Sequence, residues 1–365
     1  MKITQIETRI VNVPENETLA GLPVRPCIVR SFVTLRMLTD EGLEGIGVTF
    51  AFYSKALTGA LRTALHDLGA LTVGDDPLLQ EGILRKLREA AGGAGPGGIF
   101  MLAFSAIDIA LWDIRAKALS LPLWKLLGGA RERVTTYASG ALQRTLSNEE
   151  AALSARRLVE RGFGQIKMQL GLSSDSTPAQ EFERARIVRE SVGPDIKLMA
   201  DANQGWRVEQ AIEIGRRLDE LGFFWLEDLT AHDDFDGLAR ITAALTTPTA
   251  AGEYLWGIVP FRHMLEARSV PILIVDPWRV GGITQWLKVA GMAEAFNLSV
   301  VNHVFPEMMV HLIGAVPNGL TVEYMPWTLK LFQDVPRPEN GMLTMPQRPG
   351  LGLSFDQDFV NRYSS

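Results

Sequence analysis

Apolar positions follow two regimes along the chain. In the first part the pattern changes from one segment to the next. Residues 3–13 have strand character. Residues 28–38 (IVRSFVTLRML) alternate, with Val33, Leu35 and Met37 on one face and Thr34 and Arg36 on the other. Asp40-Glu41-Gly42 reads as a turn, and LEGIGVTFA returns as a partner strand. Residues 55–70 and 78–90 read as helices and AAGGAGPGG (90–98) as a flexible connector. In FMLAFSAIDIALWDIRAKAL, Phe104, Ile107, Leu111 and Ile114 recur at spacings of 3, 4 and 3, one face of a buried helix. This predicts a small three-stranded α+β domain over residues 1–128.

From Gly129 onward short apolar runs recur, each followed by a helical pattern. They are VTTYASG (134–140), GQIKMQLG (164–171), DIKLMADAN (195–203), FFWLEDL (223–229), PTAAGEY (248–254), PILIVDP (271–277), LSVVNHVF (298–305) and LTVEYM (320–325). Strands alternating with helices predict a parallel sheet built of βαβ units. Eight such runs predict a (β/α)8 TIM-type barrel over residues 129–340. The last run has little chain left for a helix, which makes the form (β/α)7β. PGLGLSFDQDF (349–359) reads as a turn and short strand in a segment, 341–365, that returns to the first domain.

From the second run on, each run ends in polar residues: Lys167 and Gln169, Asp201 and Asn203, Glu227 and Asp228, Glu253, Asp276, His303 and Glu323. Intervals from Asp201 are 26, 26, 23, 27 and 20 residues, about one βα unit each. Strand C-termini of such a barrel surround one mouth, so residues scattered in sequence become a ring in space. Asp201, Glu227 and Glu253 would repel one another there unless a cation sits among them. Oxygen-only ligands select a hard ion, Mg2+ first and Mn2+ as the alternative; with no His or Cys in the trio, Zn2+ fits less well. Asp276 and His303 end adjacent strands. A carboxylate beside an imidazole fixes its tautomer and raises its basicity, the construction of a general base. His66, His232, His263 and His311 lack this context and read as structural.

Composition narrows the classes. With 47% hydrophobic and 21% charged residues over 365 positions, the chain can build a large core. Basic residues number 36 against 42 acidic ones, a net charge of −6, and no basic stretch suits nucleic acid. Cys27 is the sole cysteine, which excludes an internal disulfide and a CxxC metal site and suits a reducing compartment. The start, MKITQIETRIVNVP, lacks the apolar core of a secretory signal, and no apolar run is long enough to span a membrane. A cytoplasmic protein, with a symmetric homo-oligomer as the default assembly, is expected.

ETRIVNVP and AFSAIDIALWD in the first domain, then ADANQG, WLEDL, AGEY, DPWRVGGITQW, VNHVFPE and VEY in order along the barrel, resemble the mandelate racemase group of the enolase superfamily. The resemblance covers nearly the whole chain and implies a capping domain on a barrel. It implies a Mg2+-assisted removal of the proton α to a carboxylate, giving an enolate. Asp201, Glu227 and Glu253 then match the metal ligands, and Asp276 and His303 the His–Asp dyad. Glu323 matches an acid that hydrogen-bonds the substrate carboxylate and would carry or share a proton, and Lys167 the first Lys of a KxK motif near metal and substrate. The second Lys is replaced by Gln169, which has no proton to exchange at neutral pH. A 1,1-proton transfer needs bases on both faces of the enolate, whereas β-elimination of water can run on His303 alone. The expectation is therefore an acid-sugar dehydratase, with a racemase, epimerase or cycloisomerase as alternatives and a metal-dependent acid-binding protein without turnover as a further one. Lid loops are expected at about residues 15–27 and 49–54. Gln169, Asn203, Phe52, Tyr53 and Trp327 are expected to touch substrate, with specificity drawn also from Tyr254, Trp256 and Trp278.

Overall fold

The alternating N-terminal segments form an antiparallel sheet of β1 (Ile3–Glu17), β2 (Pro23–Thr39) and β3 (Glu44–Phe50). In the computed structural model every residue is described except Tyr53 and Ser174, and every side chain except also that of Arg25. Tyr53, expected to touch substrate, thus lies outside the described residues. Helices α1 (Lys55–Ala70), α2 (Gln80–Ala91) and α3 (Gly98–Ala118) follow. α3 is apolar nearly all round because it is buried nearly all round, between the sheet and the rest of the chain. It lies so close to β3 that a Cβ on Gly45 or Gly47 would come within 2.3 or 2.2 Å of a carbonyl oxygen of Ala110 or Ala106.

The expected lid loop over 15–27 is mostly strand. β1 and β2 stay paired as far as Glu17 and Pro23, and only a short turn joins them. Pro14, Pro23 and Pro26 all lie in strand here, since a proline is tolerated where a strand has a free edge. β1 is an edge strand, and β2 pairs with β3 only from Phe32 onward. An Arg30–Glu15 ion pair at 2.7 Å ties the arm together across both strands.

After the short α4 (Leu123–Leu126) come the barrel strands: β4 (Arg133–Leu142), β5 (Gln165–Gln169), β6 (Lys197–Asp201), β7 (Trp225–Glu227), β8 (Thr249–Ala251), β9 (Ile272–Val275), β10 (Ser299–Asn302) and β11 (Val322–Tyr324). They pair in parallel in the order β10-β9-β8-β7-β6-β5-β4-β11. Val300 closes the ring, donating to Asn318 at 3.0 Å and accepting from Leu320 at 2.9 Å. Between the strands run α5 (Asn148–Glu160), α6 (Pro178–Val192), α7 (Val208–Leu218), α8 (Phe235–Ala244), α9 (Val259–Glu266), the paired α10 (Pro277–Val280) and α11 (Gly282–Ala295), and α12 (Pro306–Ala315). No α-helix follows β11 directly, so the barrel is a (β/α)7β form. Tyr137, Met199, Trp225, Ala250, Ile272, Ile274 and Val301 fill its interior as a separate apolar cluster.

Beyond the barrel, β12 (Phe332–Gln333) pairs with β14 (Ser354–Phe355), and β13 (Met342–Thr344) lies against β4. A helix that the sequence pattern did not indicate, α13 (Gln357–Tyr363), carries the tail back to β1, where Ser365 N–H donates to Ile10 O at 3.0 Å. No helix among the described residues is long and apolar enough to cross a membrane.

His311 is a buried joint of this assembly. Its Nδ1 accepts from Trp124 N–H at 3.2 Å and its Nε2 bonds Leu351 O at 3.0 Å, linking α12, α4 and the tail. Burial lowers its pKa to about 4. The folded chain therefore resists the proton that the unfolded chain accepts at a pH near 6.5. The stabilisation is full above that pH and is lost as pH falls toward 4, by about 3 kcal/mol. Urea denaturation at pH 7 and pH 4.5 should show His311→Gln losing less stability than the parent; equal losses would place the acid sensitivity elsewhere.

Candidate active site

Strand register brings the polar strand ends to one mouth. Gln169 stands opposite Asp201, and Asp201 opposite Glu227. Lys167 projects from β5 and Glu323 from β11; Asp276 and His303 directly follow β9 and β10, and Glu253 lies just past β8. All of these except Gln169 are buried. Gln169 and Asn203 lie at the rim, partly buried.

Lys167 Nζ lies 2.6 Å from Glu227 Oε1, 2.9 Å from Glu323 Oε1 and 4.0 Å from Asp201 Oδ2. Trp225 Nε1 donates to the other Glu227 oxygen at 2.8 Å. Asn203 donates its backbone N–H and its Nδ2 to the two oxygens of Asp201, each at 2.7 Å, and Arg144 in turn donates to Asn203 Oδ1. Burial pushes Glu227 up to about 8 and Asp201 up to about 6, against the pull of Lys167, and the neighbouring acids add to the rise. Burial also works against the charge on Lys167, but Glu227 and Glu323 hold its pKa well above the usual range. Carboxylates thus outnumber the cation among them. One oxygen each of Asp201, Glu227 and Asp228 can be chosen so that all lie within 4.8 Å of one another. An oxygen-only, electron-rich, buried donor set of this kind fits a hard divalent cation.

Glu253 stands slightly apart, with Oε2 3.5 Å from His303 Nε2. The opposite ring nitrogen, His303 Nδ1, meets Asp276 Oδ2 at 2.5 Å. Asp276 caps α10: its Oδ1 accepts from the N–H groups of Trp278 and Arg279 at 2.9 and 2.7 Å, so the carboxylate cannot swing away. Bonding to a carboxylate assigns the proton to Nδ1 and directs Nε2 into the cavity. Burial disfavours a charge on His303, yet Glu253 and Asp276 push it up to about 9.

The two residues after His303 are left-handed, Val304 at φ 48° and Phe305 at φ 51°. A β-branched residue there is strained. The strain turns Val304 N–H onto Glu323 Oε2 at 2.6 Å. Asn302 completes the support, accepting from Glu323 N–H at 2.8 Å. Although burial works to raise the Glu323 carboxyl, Lys167, His303 and the Val304 N–H hold it below the usual range.

Lys167, Gln169, Asp201, Asn203, Glu253, His303 and Glu323 line a cavity of about 520 Å³ together with Ile28, Arg30, Phe52, Ser139, Arg144, Tyr254, Arg279 and Trp327. Phe52 and Trp327 each lie under a guanidinium, Arg279 at 3.5 Å and Arg30 at 3.9 Å from the ring centroid. Gln169 Oε1 accepts from the Arg144 N–H at 3.2 Å, on the far wall from His303. Two expected contacts are corrected. Trp278 is fully buried, with Nε1 bonded to Val48 O at 2.6 Å, and pins the first domain to the barrel. Trp256 packs beside Gly97, off the cavity. Three arginines were not read from sequence. Arg30 sits in an alternating strand and Arg144 in an ordinary loop, neither with a distinguishing pattern. Arg279 lies inside DPWRVGGITQW, three residues after Asp276, and that spacing was the available signal.

Residues 5–128 match the N-terminal domain of the mandelate racemase / muconate lactonizing enzyme family, and residues 150–359 match the enolase C-terminal domain-like family. The chain belongs to the mandelate racemase/muconate lactonizing enzyme family. Within the family it is 31% identical over 335 residues to L-talarate/galactarate dehydratase of Salmonella typhimurium, covering 91% of this chain and 82% of that protein. It is 30% identical over 362 residues to 3,6-anhydro-alpha-L-galactonate cycloisomerase of Streptomyces coelicolor, covering 99% of both. The fold superposes on the crystal structure of L-talarate dehydratase from Polaromonas, complexed with Mg and L-glucarate, with a TM-score of 0.91 and 29% identity, covering 100% of this chain and 97% of that one.

Proposed function

We propose that this family member removes the proton α to the carboxylate of a sugar acid and then eliminates water from the β position. The observation that carries this reading is the His303–Asp276 pair at 2.5 Å, opening into the same cavity as the carboxylate cluster. Asp201, Glu227 and Glu253 would hold Mg2+, or Mn2+ in its place. When bound, the cation supplies positive charge at the substrate carboxylate and so makes the α-proton more acidic.

The chain's own residues do the rest. With the charge of Glu253 engaged by the cation, its push on the imidazole falls; neutral His303 Nε2 takes the α-proton, and the C–H electron pair moves into the bond between Cα and the carboxyl carbon. Lys167, held between Glu227 and Glu323, places an ammonium where that negative charge grows. Protonated His303 then gives the proton to the β-hydroxyl as the C–O bond breaks, and water leaves. The enol that remains becomes a 2-keto-3-deoxy acid. Phe52 and Trp327 cover the cavity and limit water.

Single-base chemistry is supported by the opposite wall. Gln169 does not titrate, and Lys167 is committed to two carboxylates. Incubation with a panel of aldonic and aldaric acids plus Mg2+ in D2O tests the reading. A 2-keto-3-deoxy product supports it; interconversion of epimers with no keto product overturns it. Gln169→Lys is expected to add exchange from the second face, seen by NMR as slow epimerisation of unreacted substrate; an unmodified enzyme that already epimerises would contradict one-base chemistry. Cycloisomerisation is the second reading, favoured by the Streptomyces relative, which aligns over nearly all of both chains. It would give an isomer of unchanged mass. A symmetric homo-oligomer in the cytoplasm belongs to the same proposal.

A further inference from the structure

Asp228 has no part in the scheme above, yet its surroundings are unusual. It is 1% exposed, and neither carboxylate oxygen has a hydrogen-bond partner among the described residues. Neighbouring side chains on a strand point to opposite faces. Asp228 departs from that alternation: its φ is 44°, and its carboxylate joins those of Glu227 and Asp201 instead of leaving them. The backbone holds it there, with its N–H on Ala250 O at 2.9 Å and its C=O accepting from Gln204 N–H at 2.6 Å. Gln204 and Asn203 are themselves left-handed, at φ 64° and 43°. Strain on both sides of the contact thus serves to bring a third acid to two others. A buried carboxylate without a donor is strongly disfavoured unless a cation replaces the missing hydrogen bonds.

We propose that Asp228 is itself a ligand of the divalent cation, beside Asp201 and Glu227. The inference rests on the metal-dependent reading of the site. With Glu253 as well, four protein carboxylates would leave two of the roughly six positions that Mg2+ fills for the substrate.

Mn2+ binding to the full-length protein, followed by electron paramagnetic resonance, tests this. Asp228→Asn should weaken Mn2+ at least about tenfold. Glu323→Gln removes a charge from the same cavity but no proposed ligand, and should weaken it less. Asp228→Ala should also add an exchangeable water to bound Mn2+, read by water-proton relaxation. Metal-free melting controls for folding: relieved of an unpaired acid, both Asp228 variants should melt no lower than the parent. Unchanged affinity in Asp228→Asn, a loss no larger than in Glu323→Gln, unchanged hydration in Asp228→Ala, or variants that fail to fold would each overturn the proposal and leave the metal-dependent reading standing. A parent protein that binds no Mn2+ would overturn both.

Discussion

His303→Asn is expected to abolish exchange of the substrate α-proton with D2O and to lower kcat by about 10⁴-fold, the upper end for loss of a general acid–base group. The effect is large because one side chain serves twice, first taking the α-proton and then protonating the leaving hydroxyl. Asparagine keeps a polar group facing Asp276 but has no basic nitrogen. Asp276→Asn should act less severely, by about 10²-fold, since it leaves the imidazole in place and removes only what orients it and raises its basicity. Its two bonds from the Trp278 and Arg279 N–H groups hold that carboxylate in one orientation against His303 Nδ1. The measurement is loss of the α-proton NMR signal under single-turnover conditions. Persistent exchange in His303→Asn would move the base elsewhere, with Lys167 the next candidate.

Lys167→Met is expected to destabilise the metal-free protein by about 3–5 kcal/mol, the range for stripping a buried charge of its partner. Lys167 is 6% exposed and lies within 4.0 Å of Glu227, Glu323 and Asp201, so its loss leaves acids facing acids. Divalent cation should restore part of the loss, because it neutralises the same groups, and activity should not return with it. Urea unfolding with and without Mg2+ measures both effects. Equal stability of Lys167→Met and parent without metal would mean that the acids are held neutral and that Lys167 is there for substrate alone.

The barrel was legible because its signals are local. An apolar run of strand length followed by a helical period needs only neighbouring residues to be recognised, and Lys197–Asp201 or Ile272–Val275 emerge where the pattern places them. The first domain was legible for the same reason up to its arm. There the family resemblance implied a lid loop, and only the pairing of β1 with β2 makes the segment strand. Trp278 illustrates the opposite failure. An aromatic two residues after Asp276 reads as a substrate contact, but an indole at a domain junction is worth more as a buried anchor bonded to Val48.

The sequence by itself determined the order of strands and helices, and with it which residues stand at strand ends. Side-chain direction in a strand repeats every two residues, and right-handed βαβ units deliver every C-terminal end to one mouth. Tertiary structure alone decided how those residues divide the work. It turned Glu253 toward His303, gathered Asp228 with Asp201 and Glu227, set Glu323 against Lys167, and brought Arg30, Arg144 and Arg279 to the cavity wall. Each of these depends on distances of a few ångströms between segments far apart in the chain, and on burial that strengthens every charge it encloses. Neither quantity is a property of a stretch of sequence.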